Sequence, residues 1–243
     1  MTSNAEIDVL VLQGGGALGA YQAGAYEALF TSGRRNAWVA GVSIGAINAA
    51  LIAGNPPERR VGRLRSFWDL VSSSTAAMPF LADLMPRGFY NELSASTTMA
   101  QGVPGFFSPR FPPASMMPAG TAGASSFYDT AALRDTLTNL VDFDYLNTGP
   151  LRLSTGAVNV ETGNMTWFDS AKQTITVEHI MASGALPPGF PAIEIDGQFY
   201  WDGGLVSNTP LQYVFDERSD DDLCIFQVDL FSARGKMPTS IWD

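Results

Sequence analysis

Ser43 stands between two glycines in GVSIG, residues 41–45. The G-x-S-x-G pattern is the one serine hydrolases use to hold a nucleophile on a tight strand-to-helix turn. Its surroundings fit: NAWVAGV (36–42) is a short apolar run, and SIGAINAALIAG (43–54) reads as a short buried helix halted by Gly-Asn-Pro-Pro. Gly41 and Gly45 remove side chains that would collide in a sharp elbow. Two readings of the motif stay open, a nucleophile or a serine N-cap on an ordinary connection. A nucleophilic serine needs a base. The single histidine, His179, lies in the helix-like run TVEHIMASGAL, and no histidine follows the last glycine-flanked acid, as the order nucleophile, acid, histidine requires. His179 is therefore expected to be a helix-surface or partly buried residue. Asp202 is the better base. It ends GQFYWD and is followed by Gly203 and Gly204. A carboxylate within hydrogen-bond reach of a serine hydroxyl accepts its proton directly. With an ordinary pKa of ~3.9 it is a weak base, so a low-dielectric site and oxyanion donors must contribute more. Asp-Gly-Gly is also a plain turn signal.

A second glycine turn precedes the serine. GGGALG (14–19) follows the apolar run IDVLVLQ (7–13) and opens a helical pattern, ALGAYQAGAYEALFTSG (17–33). The spacing fits the dinucleotide fingerprint G-x-G-x-x-G, which expects an acid about 20 residues on, at the end of the next strand. Residues 36–40 read Asn-Ala-Trp-Val-Ala, without one. The other reading gives the freed N–H groups a different anion, the oxyanion of an acyl-transfer intermediate. Two successive strand-turn-helix units can place both turns at one sheet edge, where α/β ligand sites form. One turn would then offer donors and the other Ser43.

The remaining elements support that placement. ERRVGRLRSFWDLV (58–71) has helical apolar spacing, and DTAALRDTLTNLV (129–141) reads as a helix with Asp129 as a candidate cap. LRLSTGAVNV-ETGN-MTWFDS (151–170) and AIEI-DGQ-FYWDGG (192–204) read as hairpins, and TPLQYVFDE (209–217) as a short helix. TVEHIMASGAL (176–186) reads as a helix ending before Pro187-Pro188, and LCIFQVDLF (223–231) as a buried strand. Alternating strands and helices followed by hairpins indicate an α/β fold with a mainly parallel sheet and some antiparallel pairs. The chain is 243 residues long, enough for one large domain spanning 1–243. Residues 72–126 differ in character, rich in Pro, Met, Phe, Ser and Gly, and read as an irregular insertion. With Met78, Met85, Met99, Met116 and Met117 beside Phe80, Phe89, Phe106, Phe107 and Phe111, it is either a greasy lid or a connection covering the core.

Composition narrows the partners. The net charge is −10, from 14 Lys and Arg against 24 Asp and Glu. That balance argues against nucleic acid and against purely electrostatic docking on anionic lipid. Cys224 is the single cysteine and sits in an apolar run, as a buried small hydrophobe does. No clustered Cys/His spacing suggests a metal, and no cofactor is implied. The opening MTSNAEID lacks a signal-peptide pattern, and no apolar run approaches the ~20 residues of a membrane span. A cytoplasmic location is the default expectation. The last stretch, SARGKMPTSIWD, has no cap or polar tail, which suggests a natural chain continuing beyond 243. The sequence carries no signal for oligomeric state.

GGGALG, GVSIG and DGG in this order, without a triad histidine, resemble the patatin-like phospholipases, bacterial members most. ASGALPPGFP (182–191) and DGGLVSNTPL (202–211) support the match, which runs from about Ile7 to Phe231 and fades through 72–126. The resemblance implies a three-layer α/β/α fold related to the α/β hydrolases and hydrolysis of lipid acyl esters by a Ser–Asp dyad. It makes Ser43 the nucleophile, Asp202 the base and the backbone of Gly14, Gly15 and Gly16 the oxyanion hole, with Gly19, Gly41, Gly45, Gly203 and Gly204 completing the motifs. It also implies a lipid or ester substrate met by transient contact with a membrane surface. One position departs. Many members carry a basic residue just before the last glycine of the first motif, where this chain has Leu18. If that cation holds phosphate, the departure points to less charged esters. The competing readings are a carboxylesterase for small uncharged esters and a non-catalytic lipid- or nucleotide-binding domain using the glycine loop.

Overall fold

The structure is a computed structural model and describes residues 7–73, 87–218 and 222–232, with Arg234, Gly235 and Met237. Its strands are β1 (Ile7–Leu12), β2 (Trp38–Gly41), β3 (Ser108–Pro109), β4 (Tyr128–Asp129), β5 (Arg152–Asn159), β6 (Met165–Asp169), β7 (Ile193–Ile195), β8 (Gln198–Asp202) and β9 (Leu223–Val228). Its helices are α1 (Ala20–Thr31), α2 (Ile44–Ala53), α3 (Pro57–Ser72), α4 (Arg87–Gln101), α5 (Ala131–Leu140), α6 (Phe143–Thr148), α7 (Val177–Ser183) and α8 (Leu211–Asp216).

The run IDVLVL has no polar alternation, so β1 must be covered on both faces. Leu10 and Leu12 join the main core beneath α2, α3, α5 and α7, while Val9 and Val11 join a smaller core that Tyr213 and Val214 of α8 close. β1 pairs in parallel with β2 and β9, and β2 pairs in parallel with β5. Beyond this parallel centre the hairpin strands are antiparallel: β6 and β8 on β5, and β7 on β8. This is the expected mixed α/β architecture, a mainly parallel sheet flanked by helices.

Strand β5 brings the chemistry together. Its residues 154–158 pair with β6 along one edge. The other edge is therefore shared end to end: β2 occupies it up to Gly41 opposite Thr155, and β8 occupies it down to Asp202 opposite Ala157. β2 runs with β5 and β8 against it, so their C-terminal ends converge on Gly156. Ser43 lies two residues past the end of β2, and Asp202 is the last residue of β8.

Every residue of α2 is buried. Its small, apolar sequence IGAINAALIA lets β2, β5, α3 and α7 approach from different sides. The polar exception, Asn48, is fully paired. It donates to the Gly19 carbonyl at 3.0 Å and to Gln22 at 2.9 Å, and accepts from the Trp68 indole at 3.1 Å. Buried polar groups need such partners, and here they tie the first glycine turn, α1 and α3 to the helix that follows Ser43.

Some expectations change. The insertion is not wholly irregular, since residues 87–101 form α4 and a two-stranded sheet joins β3 to β4. Met78, Phe80 and Met85 of the expected lid lie outside the described residues, as does most of SARGKMPTSIWD. The cap of α5 is Thr130 rather than Asp129. The Asp129 carboxylate instead accepts the Ala131 N–H at 2.8 Å from one position further out. Helix α6, not foreseen, is capped by Asp142, which accepts the Tyr145 N–H at 2.8 Å. The helix expected over 17–33 begins as a 3-10 turn at Gly16–Gly19.

Candidate active site

Ser43 has φ 57° and ψ −124°, a left-handed-side conformation that costs a side-chain-bearing residue about 1–3 kcal/mol. The surroundings enforce it. A Cβ on Gly41 would overlap the Gly45 carbonyl, and one on Gly45 would overlap the Leu12 carbonyl at the end of β1. The chain therefore turns from β2 into α2 as a sharp elbow against β1. The Ser43 N–H donates to Ser183 Oγ at 2.9 Å, and Ser183 Oγ donates to the Gly156 carbonyl at 2.7 Å. Buried Ser183, the last residue of α7, thus ties the elbow to the point on β5 where β2 and β8 converge.

Ser43 Oγ donates to Asp202 Oδ2 at 2.7 Å. The other carboxylate oxygen accepts the Gly204 N–H at 2.7 Å, and the Asp202 N–H donates to the Ala185 carbonyl at 3.0 Å. Asp202 is buried. Burial pushes its pKa above the ordinary carboxylate value, and the bonds from Ser43 and Gly204 pull partly the other way. A raised pKa makes this carboxylate a stronger base than a solvated one. Gly203–Leu205 form a 3-10 turn directly after it.

The glycine turn lies beside the serine. A Cβ on Gly14 would sit 3.0 Å from that of Ser43. The turn is pinned by Asn208, whose carbonyl accepts the Gly14 N–H at 3.0 Å and whose side-chain amide donates to the Gly14 carbonyl at 2.9 Å. Gln13 holds the strand end: its Oε1 accepts from Leu230 N–H at 2.6 Å, and its amide donates to Thr209 at 3.0 Å. The Gly14 amide is thus engaged, which leaves Gly15 and Gly16 as the members of the expected oxyanion trio whose N–H groups meet no acceptor among the described residues. Gly19 packs against Ile44, which follows the serine.

His179 is not in this cluster. It is buried in α7, with Nδ1 accepting the Thr176 N–H at 2.9 Å, Nε2 meeting the Gln173 amide at 3.2 Å and its ring edge-on to Phe168. Burial lowers its pKa, against the opposing pull of Glu178 and Asp196. It is a neutral helix-capping residue. Among the described residues, no group of three or more His, Cys, Asp or Glu side chains gathers as a metal site would need.

An apolar cavity of about 350 Å³ opens beside the serine turn, walled by Gly16, Ile44, Trp68, Val103, Phe106 and Phe107, among others. Among the described residues, its lining holds no charged side chain. Phe106 and Phe107 come from the insertion and pack, tilted or edge-on, into an aromatic cluster with Phe190 and Tyr128.

Sequence reasoning missed the roles of Ser183 and Asn208, although both lie in runs that carried the family resemblance. Their partners are 140 and 194 residues away. The only local signal was a polar side chain in a run otherwise apolar or turn-forming.

The fold and site together define an α/β protein that presents a serine, on a strained strand-to-helix turn, to a buried carboxylate. Its family follows from sequence: the model of the patatin-like phospholipases matches residues 10–215, and the chain belongs to that family. Among solved structures it is similar to VipD from Legionella pneumophila, at 17% identity and a TM-score of 0.49. That match covers 93% of this chain and 50% of VipD, so the chain spans about half the length of its structural relative. No curated protein matches the chain in sequence. Among the described residues, no helix is long and apolar enough to cross a membrane.

Proposed function

We propose that this chain is a serine lipid acyl hydrolase that cleaves acyl esters through Ser43 and Asp202. The observation that carries the reading is the 2.7 Å hydrogen bond from Ser43 Oγ to Asp202 Oδ2 on a strained elbow. Asp202 takes the hydroxyl proton as Oγ attacks the acyl carbonyl. Charge develops on the carbonyl oxygen, and the amides of Gly15 and Gly16 stabilise it. The tetrahedral intermediate collapses to an acyl-serine, and Asp202 returns its proton to the departing alcohol. A water then gives a proton to Asp202, attacks the acyl-serine and releases the fatty acid, with the proton returning to Ser43. The apolar cavity beside Ile44 takes the acyl chain.

A second reading has its own support. Leu18 stands where the family resemblance leads one to expect a basic residue, and the described cavity lining is uncharged. These favour small or neutral esters over phospholipid. One experiment separates the possibilities. Wild type, Ser43→Ala and Asp202→Asn are assayed on a p-nitrophenyl ester series and on phosphatidylcholine, with fluorophosphonate labelling in parallel. The lipid hydrolase reading expects label on Ser43 and turnover of long-chain substrates, both lost in each variant. Turnover confined to short p-nitrophenyl esters selects the carboxylesterase. An unlabelled, inactive wild type leaves only a binding domain.

A further inference from the structure

Segments 14–24, 183–193 and 203–211 supply the glycine turn, the stretch after α7 and the turn after Asp202. They contain no Lys, Arg, Asp, Glu or His. At the chain's charged fraction of 16%, a set of that length would ordinarily carry several. The same segments expose large apolar side chains: Leu18, Tyr21, Leu186, Leu205 and Val206, together with Phe231 just past β9, are each 48–68% exposed. Single exposed apolar residues are normal on any protein. These six are tied to one place. Leu205 and Val206 follow Gly204, whose N–H binds Asp202. Leu186 follows Ala185, whose carbonyl accepts the Asp202 N–H. Leu18 and Tyr21 follow the glycine turn, and a Cβ on Gly15 would lie 3.1 Å from the Phe231 ring. The nearest charge in sequence to this group is Asp229, held by Gln227.

We infer that these residues form an apolar collar around the Ser43 mouth that seats the protein on a net-neutral lipid bilayer. The inference rests on the acyl-hydrolase reading for its purpose, but it stands on the surface itself. Exposed apolar patches mark membrane or partner contacts. Attachment to lipid draws on buried apolar area and on attraction between basic groups and anionic headgroups. This collar offers the first without the second, and the net charge of −10 opposes an anionic surface. Docked this way, the mouth opens onto the bilayer, and an acyl chain reaches the cavity without crossing water.

The test uses the Ser43→Ala protein, so that vesicles stay intact, in flotation with phosphatidylcholine vesicles and with vesicles containing phosphatidylserine. Expected are binding to phosphatidylcholine that survives high salt, weaker binding to the anionic vesicles, and a loss of about tenfold on adding Leu205→Asp with Val206→Asp. Tyr21→Asp, in the first turn of α1 where an acid suits the helix, serves as an independent second variant and should also weaken flotation. In the Ser43-intact protein, Tyr21→Asp should leave hydrolysis of a soluble short-chain p-nitrophenyl ester unchanged. Three results would overturn the inference: no flotation on phosphatidylcholine, binding confined to anionic vesicles and removed by salt, or a solution dimer dispersed by the collar substitutions without any flotation. If the collar floats but Ser43 never turns over ester, the hydrolase reading fails and the docking surface remains.

Discussion

At the scale of single residues, the Ser43–Asp202 pair makes pH the sharpest probe. Burial raises the folded pKa of Asp202, so its ionised form is disfavoured in the folded protein relative to the unfolded chain. Its contribution to stability is therefore fully present below the ordinary carboxylate value of ~3.9 and is lost as pH rises through the raised folded value. Under the proposed mechanism activity has the opposite sign, because only the ionised group would accept the Ser43 proton. Ester turnover should fall in acid with its midpoint above ~3.9. Thermal melts across the same range should show Asp202→Asn inactive, yet gaining stability relative to wild type as pH rises. A variant that loses stability at neutral pH would mean that the charge, not its shape, holds the turn. His179→Ala serves as the control. It removes the acceptor of the Thr176 N–H and should lower the melting temperature while leaving turnover intact.

At the scale of elements, α7 matters through its last residue. Ser183→Ala would leave two partners unmet, the partly buried Ser43 N–H and the buried Gly156 carbonyl, at a cost of about 1–3 kcal/mol. If Ser43 is the nucleophile as proposed, Ser183 positions it, and the expected effect is a kcat lowered about tenfold with KM little changed, since a misplaced nucleophile weakens attack and not binding. Slower fluorophosphonate labelling of Ser43 with an unchanged circular dichroism spectrum would check it; unchanged labelling would assign Ser183 to stability alone. The elements themselves were unevenly legible. β1 and α2 announced themselves by continuous apolar runs ended by glycine, and both hairpins by turn residues between apolar strands. Helix α4 was hidden because RGFYNELSASTTMAQ is rich in Ser and Thr and lies between Pro- and Gly-rich stretches. The cap of α5 was misplaced by one residue because Asp129 and Thr130 both have cap chemistry, and backbone geometry decides between them. Ser43 and Asp202 could be picked out because each sits in a compact glycine motif. The engagement of the Gly14 amide by Asn208 could not, because nothing local to either residue signals a bond across the chain.

At the scale of the whole molecule, the end-to-end meeting of β2 and β8 on one edge of β5 sets an order of events. Ser43 and Asp202 are 159 positions apart, and neither strand reaches the other except along β5. Long-range pairings of this kind form late, because loop closure must be met before the contact returns anything. On refolding from denaturant, helical circular dichroism should recover before fluorophosphonate reactivity at Ser43; simultaneous recovery would show that the edge assembles early. A chain that reacts at Ser43 is then one whose distant halves have already found each other, so reactivity of this one hydroxyl reports the completion of folding and cannot be shown by an unfinished chain.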